Sequence, residues 1–350
     1  MPSFRIADIH RPVSTDVKGV EPSITNIEHL SSYNWIESPI PTIAVPGCPP
    51  LWSPPKSPKK VDKDSGLIYV AQNAARYPER LLEPLFRSLF IENPSYDIHA
   101  INLITDRNNI RKLLAFINPS LSKHRLEPFT IEVEATNDTA IFCRAETKAI
   151  DIIKPHQFKD YSHEFEKAFT TSQIAGSTGH HRIISYDFSG LKIIVRYETD
   201  AYIEPPRPQH LEESENEDLL NIMSDLSLAQ PAKSSYIPAE TRLGTMKQDK
   251  KVPVYSTLKI KTRVLHKPIR MQEISDWEKG HADDLGRLVK LIKDIIEVVK
   301  ENEGSAVLKH DGRRNHLEVW TRSRSKMLPA DLYPKFDQRQ KIIQAINSGF

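Results

Sequence analysis

Two short stretches hold residues that could do chemistry together. One is Glu198-Thr-Asp200, at the end of "LKIIVRYETDAY"; the other is "LKIKTR", which carries Lys259 and Lys261. Carboxylates at the ends of neighbouring strands hold a hard cation such as Mg²⁺ or Mn²⁺ through oxygen ligands at a fixed separation. A lysine two residues beyond a further acid shares that acid's face, because strand side chains repeat every second residue. Its ammonium can orient an attacking water or stabilise the charge that grows on a phosphate. In this chain the further acid is missing, and Lys259 stands where it belongs. His181 and Arg182 open the strand before the acidic one. With Arg196 and Arg263 they are the candidate phosphate contacts, arginine through its planar fork.

The elements that must position these residues follow from periodicity. "GLIY" predicts a strand, and Leu81, Leu82, Leu85, Leu89 and Phe90 recur at helical spacing after it. "HAINLIT" predicts a strand and "NNIRKLLAFINP" a helix ended at Asn-Pro. "PFTIEVEAT" and "TAIFCRAE" form a hairpin around "NDT". In "FKDYSHEFEKAFTTS", Phe158, Tyr161, Phe165 and Phe169 fall at helical spacing and are expected in the core. "HRIISYDFSG" and "LKIIVRYETDAY" make a hairpin turning at Ser189-Gly190. The stretch 254–263 predicts another strand. Leu285, Leu288, Val289, Ile292, Ile295, Ile296 and Val299 form the stripe of a long helix. "SAVLKH" and "HLEVWT" predict strands around "DGRRN". The order gives an α+β fold, a mixed central sheet flanked by helices.

Domain boundaries follow from composition. With 26 prolines in 350 residues, many of them in "SPIPTIAVPGCPPLWSPPKSPKK", residues 1–60 read as a proline-rich extended arm clamped by Tyr33, Trp35 and Trp52. Residues 61–204 form the first part of the core and 251–335 the second. Residues 205–250 lose periodicity and read as an acidic disordered insertion, with 336–350 a C-terminal tail. The segment 209–225 holds six acids and no Lys or Arg, whereas 251–326 holds 17 Lys and Arg against 11 Asp and Glu. The basic part suits RNA or DNA, and 211–228 could dock a protein partner.

Several classes are excluded. Cys48 and Cys143 cannot build a disulfide framework and fit a reducing compartment, cytoplasmic or nuclear. No stretch reaches the roughly 20 apolar residues of a membrane helix, so no membrane partner is expected. "AGSTGHH" lacks the phosphate-loop ending, and neither His-Glu-x-x-His nor Gly-x-Ser-x-Gly occurs.

"ETD" and "LKIKT" resemble the Glu-x-Asp and Glu-x-Lys-Thr strands of decapping exoribonucleases, a branch of the PD-(D/E)XK nuclease superfamily. "SSYNWIE", "PTIAVPGCPPLW", "DSGLIYVAQNAARYP" and "HHRIISYDFSGLKIIVRYETDAY" are similar to a group of uncharacterised filamentous-fungal proteins, over most of residues 30–335. That group reads "LEIKTR" where this chain has "LKIKTR", and carries a further helix and strand after it. The resemblance implies Glu198 and Asp200 as metal ligands, Lys261 as the motif lysine and Lys259 at the lost acid. An ammonium in that seat removes a ligand and sets like charge beside the cation, which weakens Mg²⁺ or Mn²⁺ binding. The expectation is a degenerate relative of a metal-dependent nuclease, its hydrolysis impaired or absent, that binds nucleic acid or a protein partner. An active Mg²⁺- or Mn²⁺-dependent exoribonuclease is the alternative. Proteins of the fungal group sometimes bear the label geranylgeranyl diphosphate synthase. That reaction needs paired aspartate-rich helices, and only "HADDLGR" offers adjacent aspartates, so it is set aside.

Overall fold

The computed structural model describes residues 3–17, 19, 22–122, 126–146, 148–154, 156–203, 243–248, 257–258, 271–322 and 326–337. The chain begins with strands β1 (Arg5–His10), β2 (Ile24–Ile36), β3 (Thr42–Val45), β4 (Leu51–Trp52) and β5 (Gly66–Tyr69). Helices α1 (Gln72–Arg76) and α2 (Glu83–Glu92) lead to β6 (Leu103–Asp106) and α3 (Arg107–Ile117). Next come β7 (Phe129–Thr136), β8 (Thr139–Ala145), β9 (Ile150–Ile153), α4 (Ser162–Phe169) and β10 (Thr170–Thr171). Then follow β11 (Ser177–Phe188), β12 (Leu191–Thr199), β13 (Ala201–Tyr202), β14 (Gly244–Lys247) and β15 (Thr257–Leu258). The described chain closes with α5 (Met271–Gly280), α6 (Ala282–Glu301), β16 (Ser305–His310) and β17 (His316–Thr321).

Eleven strands form one sheet in the order β1-β17-β16-β7-β8-β6-β12-β11-β2-β3-β14. At its centre β8, β6 and β12 run parallel, and antiparallel partners flank them. One face packs on α3 and α6 through Leu113, Phe116, Leu288, Ile292 and Ile295. The other packs on α2 through Leu85, Phe86 and Leu89. This is the α+β architecture expected, a mixed sheet between helices. The β11–β12 turn is the predicted one: Ser189 and Gly190 both take positive φ, 49° and 83°, as a tight hairpin turn needs.

Three expectations need correction. Residues 24–36, placed within the proline-rich arm, are an interior strand between β11 and β3, with Tyr33 and Trp35 fully buried. The reason is local: "ITNIEHLSSYNWI" holds no proline, and the prolines stand on either side of β3, where they cost no ladder bond. Within 205–250, β14 pairs in parallel with β3 and Leu243 is buried, so the insertion ends sooner than composition suggested. The third correction concerns the aromatics. α4 begins only at Ser162 and buries none of its residues. Phe165 and Phe169 stack on each other and Phe169 stacks on Trp52, but Phe158 is 53% and Tyr161 37% exposed. Thr257–Leu258 is the described part of the strand expected over 254–263. The segment 211–228 and the tail from 338 also lie outside the described residues. Among the described residues no helix is long and apolar enough to cross a membrane.

Candidate functional site

The parallel centre of the sheet creates a hollow of about 260 Å³ at the C-terminal ends of β6, β8 and β12. Open sheets bind ligands at that end, where successive connections leave a crevice. Arg107, Arg111, Arg144, Arg196, His181 and Glu198 all line it. Each arrives on a different part of the frame: β12 brings Arg196 and Glu198, β11 brings His181 directly opposite Glu198, and α3 brings Arg107 and Arg111. These two arginines are four residues apart, hence on one helical face.

Arg196 is the frame's centre. Its Nε and Nη2 donate to the two oxygens of Asp106 at 2.7 and 2.9 Å, and Nη1 donates to the Tyr33 hydroxyl at 3.1 Å and the Leu81 carbonyl at 2.7 Å. Burial alone would lower its pKa, but the Asp106 carboxylate outweighs it and holds the guanidinium above its ordinary value. Expected as a phosphate contact, Arg196 is buried and spends its donors inside the protein. Its role here is to fix the β12 end.

Asp106 has a second consequence. It stands at the N-cap of α3 in extended backbone, the place where an Asp normally caps, yet it makes no side-chain cap bond. Arg196 holds both of its oxygens, so the first-turn amides of α3 have no side-chain acceptor from the cap and their positive end faces the hollow. Asn109 Nδ2 clamps the same turn to β8 through the Phe142 carbonyl and to β6 through Thr105 Oγ1, each at 3.1 Å.

His181 is positioned from below. Asn73 Oδ1 accepts from the Tyr33 hydroxyl at 2.6 Å and from Trp35 Nε1 at 2.9 Å, which fixes the orientation of the amide. Its Nδ2 must then donate to His181 Nε2 at 3.1 Å, leaving the imidazole proton on Nδ1. The Tyr33 ring stacks on the imidazole at 4.9 Å and 4°. Gln72 closes this wall by donating to the Thr178 carbonyl at 2.8 Å. It lies so close that a Cβ at Gly179 would meet its Oε1 at 2.1 Å, so a side chain there would push the Gln72 amide aside.

The other expected residues divide. Arg182 is buried and pairs across the sheet with Tyr197, so it faces away from His181 and does not line the hollow. Asp200, in the link between β12 and β13, does not line it either. Leu258 pairs with Ala201. Lys259, Lys261 and Arg263, the residues that follow, lie outside the described residues. Among the described residues no group of three or more His, Cys, Asp or Glu is arranged to hold a metal ion. Glu198 alone of the expected acid pair reaches the hollow, which is not a ligand set for Mg²⁺ or Mn²⁺.

Charge in the hollow is dominated by cations. Arg196 and Asp106 neutralise each other, leaving Arg107, Arg111 and Arg144 with Glu198. Arg107 lies 5.4 Å over the Tyr197 ring, and Arg144 is shared with Glu146, which also accepts from Lys112 at 2.7 Å. Sequence reasoning missed all three. Arg107 and Arg111 were detectable, since "LITDRNNIR" puts two cations at the start of a helix that directly follows a strand.

The fold is similar at a distance to three solved structures. Schizosaccharomyces pombe Rai1 shares 11% identity, with 91% of this chain and 98% of that one covered and a TM-score of 0.47. Kluyveromyces lactis Dxo1, solved with manganese, shares 12% over 93% and 99%, with a TM-score of 0.43. Candida albicans Rai1, solved with pU5 and Mn²⁺, shares 11% over 98% and 100%, with a TM-score of 0.43. No curated protein matches the chain. Residues 6–272 match the family described as a domain of unknown function, DUF8563, and the chain belongs to that family.

Proposed function

We propose that the hollow binds the phosphate of a nucleic-acid end, RNA or DNA, on the frame of a degenerate metal-dependent phosphodiesterase whose hydrolysis is impaired or absent. The observation that carries this reading is the convergence of Arg107, Arg111 and Arg144 with His181 and Glu198 in one crevice. Arginine forks and the uncapped α3 amides both favour an anion with several acceptor oxygens. A free carboxylate offers fewer such oxygens than a phosphate. Hydrolysis would require a cation, and the described residues do not assemble its ligands. Lys259, where the acid-x-Lys pattern wants a carboxylate, points the same way.

The test is fluorescence anisotropy with a 5′-phosphorylated oligoribonucleotide. Arg111→Glu should weaken binding by about tenfold or more and reduce the salt slope by about one. Unchanged affinity sinks the cleft as the binding site. A cleavage assay with Mn²⁺ on 5′-modified RNA settles the catalytic part. The wild-type chain should release no product, and Lys259→Glu should gain a metal ligand. Mn²⁺-dependent cleavage by the wild type would establish the active exoribonuclease instead.

A further inference from the structure

We infer that the strand held in the hollow is single-stranded and that its bases leave over an apolar platform made by the β5–β9 ribbon and the Phe158–Tyr161 pair. This inference rests on the phosphate-binding reading of the hollow. In the ribbon, Leu67 pairs with Ile152 and Tyr69 with Ile150, so these four side chains share one face. That face is open: Leu67 is 54%, Ile152 62% and Ile150 39% exposed. Isolated exposed apolar residues are ordinary, but a contiguous face on a two-stranded ribbon is not.

The aromatic pair flanks the ribbon. Lys159, next to Phe158, ion-pairs with Asp151 of β9, whose side chain alternates to the face opposite Ile150 and Ile152. The Asp64 amide donates to the Asp160 carbonyl at 2.9 Å. The Phe158 and Tyr161 rings meet edge to face at 5.3 Å. The Lys63 ammonium lies 5.3 Å over the Phe158 ring, and the Arg76 guanidinium 4.9 Å over Tyr69. Ring faces beside cations are how proteins hold unpaired bases, by stacking the base and meeting its phosphate; here Arg76 is also ion-paired with Glu37 at 2.7 Å.

The platform is continuous with the hollow. The amides of Val70 and Ala71, directly after β5, donate to the Ala149 carbonyl directly before β9, at 2.9 and 3.0 Å. Val70, Ala71 and Gln72 then form the hollow's wall. A strand whose terminal phosphate sits among the arginines therefore meets the ribbon as it exits. Duplex cannot use the platform, because its base faces are already stacked.

The probes are 5′-phosphorylated diuridylate, a single strand of about ten uridylates and the same strand in duplex, with binding followed by anisotropy. Wild type should prefer the long single strand over both others. Phe158→Ala combined with Tyr161→Ala should weaken the long strand by about tenfold or more and leave diuridylate unchanged. Ile152→Thr, also at the surface, should act in the same direction with a smaller loss. Long-strand affinity of the double variant within about twofold of wild type overturns the platform. Equal wild-type affinity for diuridylate and the long strand overturns it while sparing the hollow; binding of neither ends both readings. If the variants instead abolish a concentration-dependent dimer in sedimentation and leave long-strand binding intact, the face is a protein interface and the inference fails.

Discussion

In the hollow, each wall is anchored from beneath: Arg196 locks β12 to the α3 cap, and Tyr33 with Asn73 sets the tilt of His181. In the adjoining ribbon, Leu67 and Ile152 face solvent, and the cations nearby lie over rings or on surface carboxylates. The difference teaches what each region is for. A buried polar network gives one geometry at high energetic stakes, which suits a phosphate that must be held at fixed points. An open apolar face tolerates many base positions and contributes little to the fold.

The sharpest way to break this comparison is at Asp106. Asp106→Asn should destabilise the protein by about 3–5 kcal/mol, because it leaves the buried Arg196 guanidinium uncompensated. Arg196→Met should cost a similar amount by stranding Asp106. The double variant should be less destabilised than the sum of the two singles, since the unpaired charge is gone. Chemical denaturation of all three checks this. Additive losses would mean that the pair is not the unit holding the β12 end.

The second effect concerns the face of β11 opposite His181. His180 is buried beside Arg182, and His29 also bears on it. Asn34 Oδ1 accepts from the Cys48 amide at 2.8 Å, so His180 Nδ1 must donate to it, also at 2.8 Å. A further proton would sit on Nε2 without solvent. Burial first, then the charge of Arg182, holds the His180 pKa well below its ordinary value. Burial and Arg182 likewise hold His29 down to about 4. The unfolded chain takes these protons near pH 6.5 and the folded chain does not, so the stabilisation is complete above that pH and is lost on acidification. Between pH 7.5 and 5.5 the urea midpoint should fall, with His180 contributing up to about 1.4 kcal/mol per pH unit below 6.5. His180→Gln should flatten that slope. A slope unchanged by the substitution would mean that His180 is already charged in the fold.

Local signals were legible in the sequence, and joint ones were not. The Ser189-Gly190 turn, the α6 stripe and the α3 helix each announce themselves within a few residues. β2 was hidden because the prolines around it dominate the composition of its region, although none falls inside it. Of the site, His181, Arg196 and Glu198 could be found because they lie on one predicted hairpin. Arg144 could not, since it joins them only through the parallel pairing of β8, β6 and β12, which no local spacing encodes. Phe158 and Tyr161 were misplaced for a related reason. Their spacing is helical, but the helix starts after them, and periodicity alone does not say where a helix begins.

The smallest expected effect decides whether the ribbon is free. Ile152→Thr should change stability by no more than about 0.5 kcal/mol, because the side chain is mostly in water already. Ile183→Thr, the same substitution on a fully buried β11 residue, should cost about 2 kcal/mol or more through lost packing and a hydroxyl in the core. The pair of measurements calibrates itself, since the substitution is the same while burial and place in a sheet differ. If Ile152→Thr costs as much as Ile183→Thr, something covers the ribbon in the folded protein, and a nucleic-acid strand would first have to displace it. A ribbon near neutral to threonine and a long-strand affinity that drops with the same change would together assign this face to binding and not to folding.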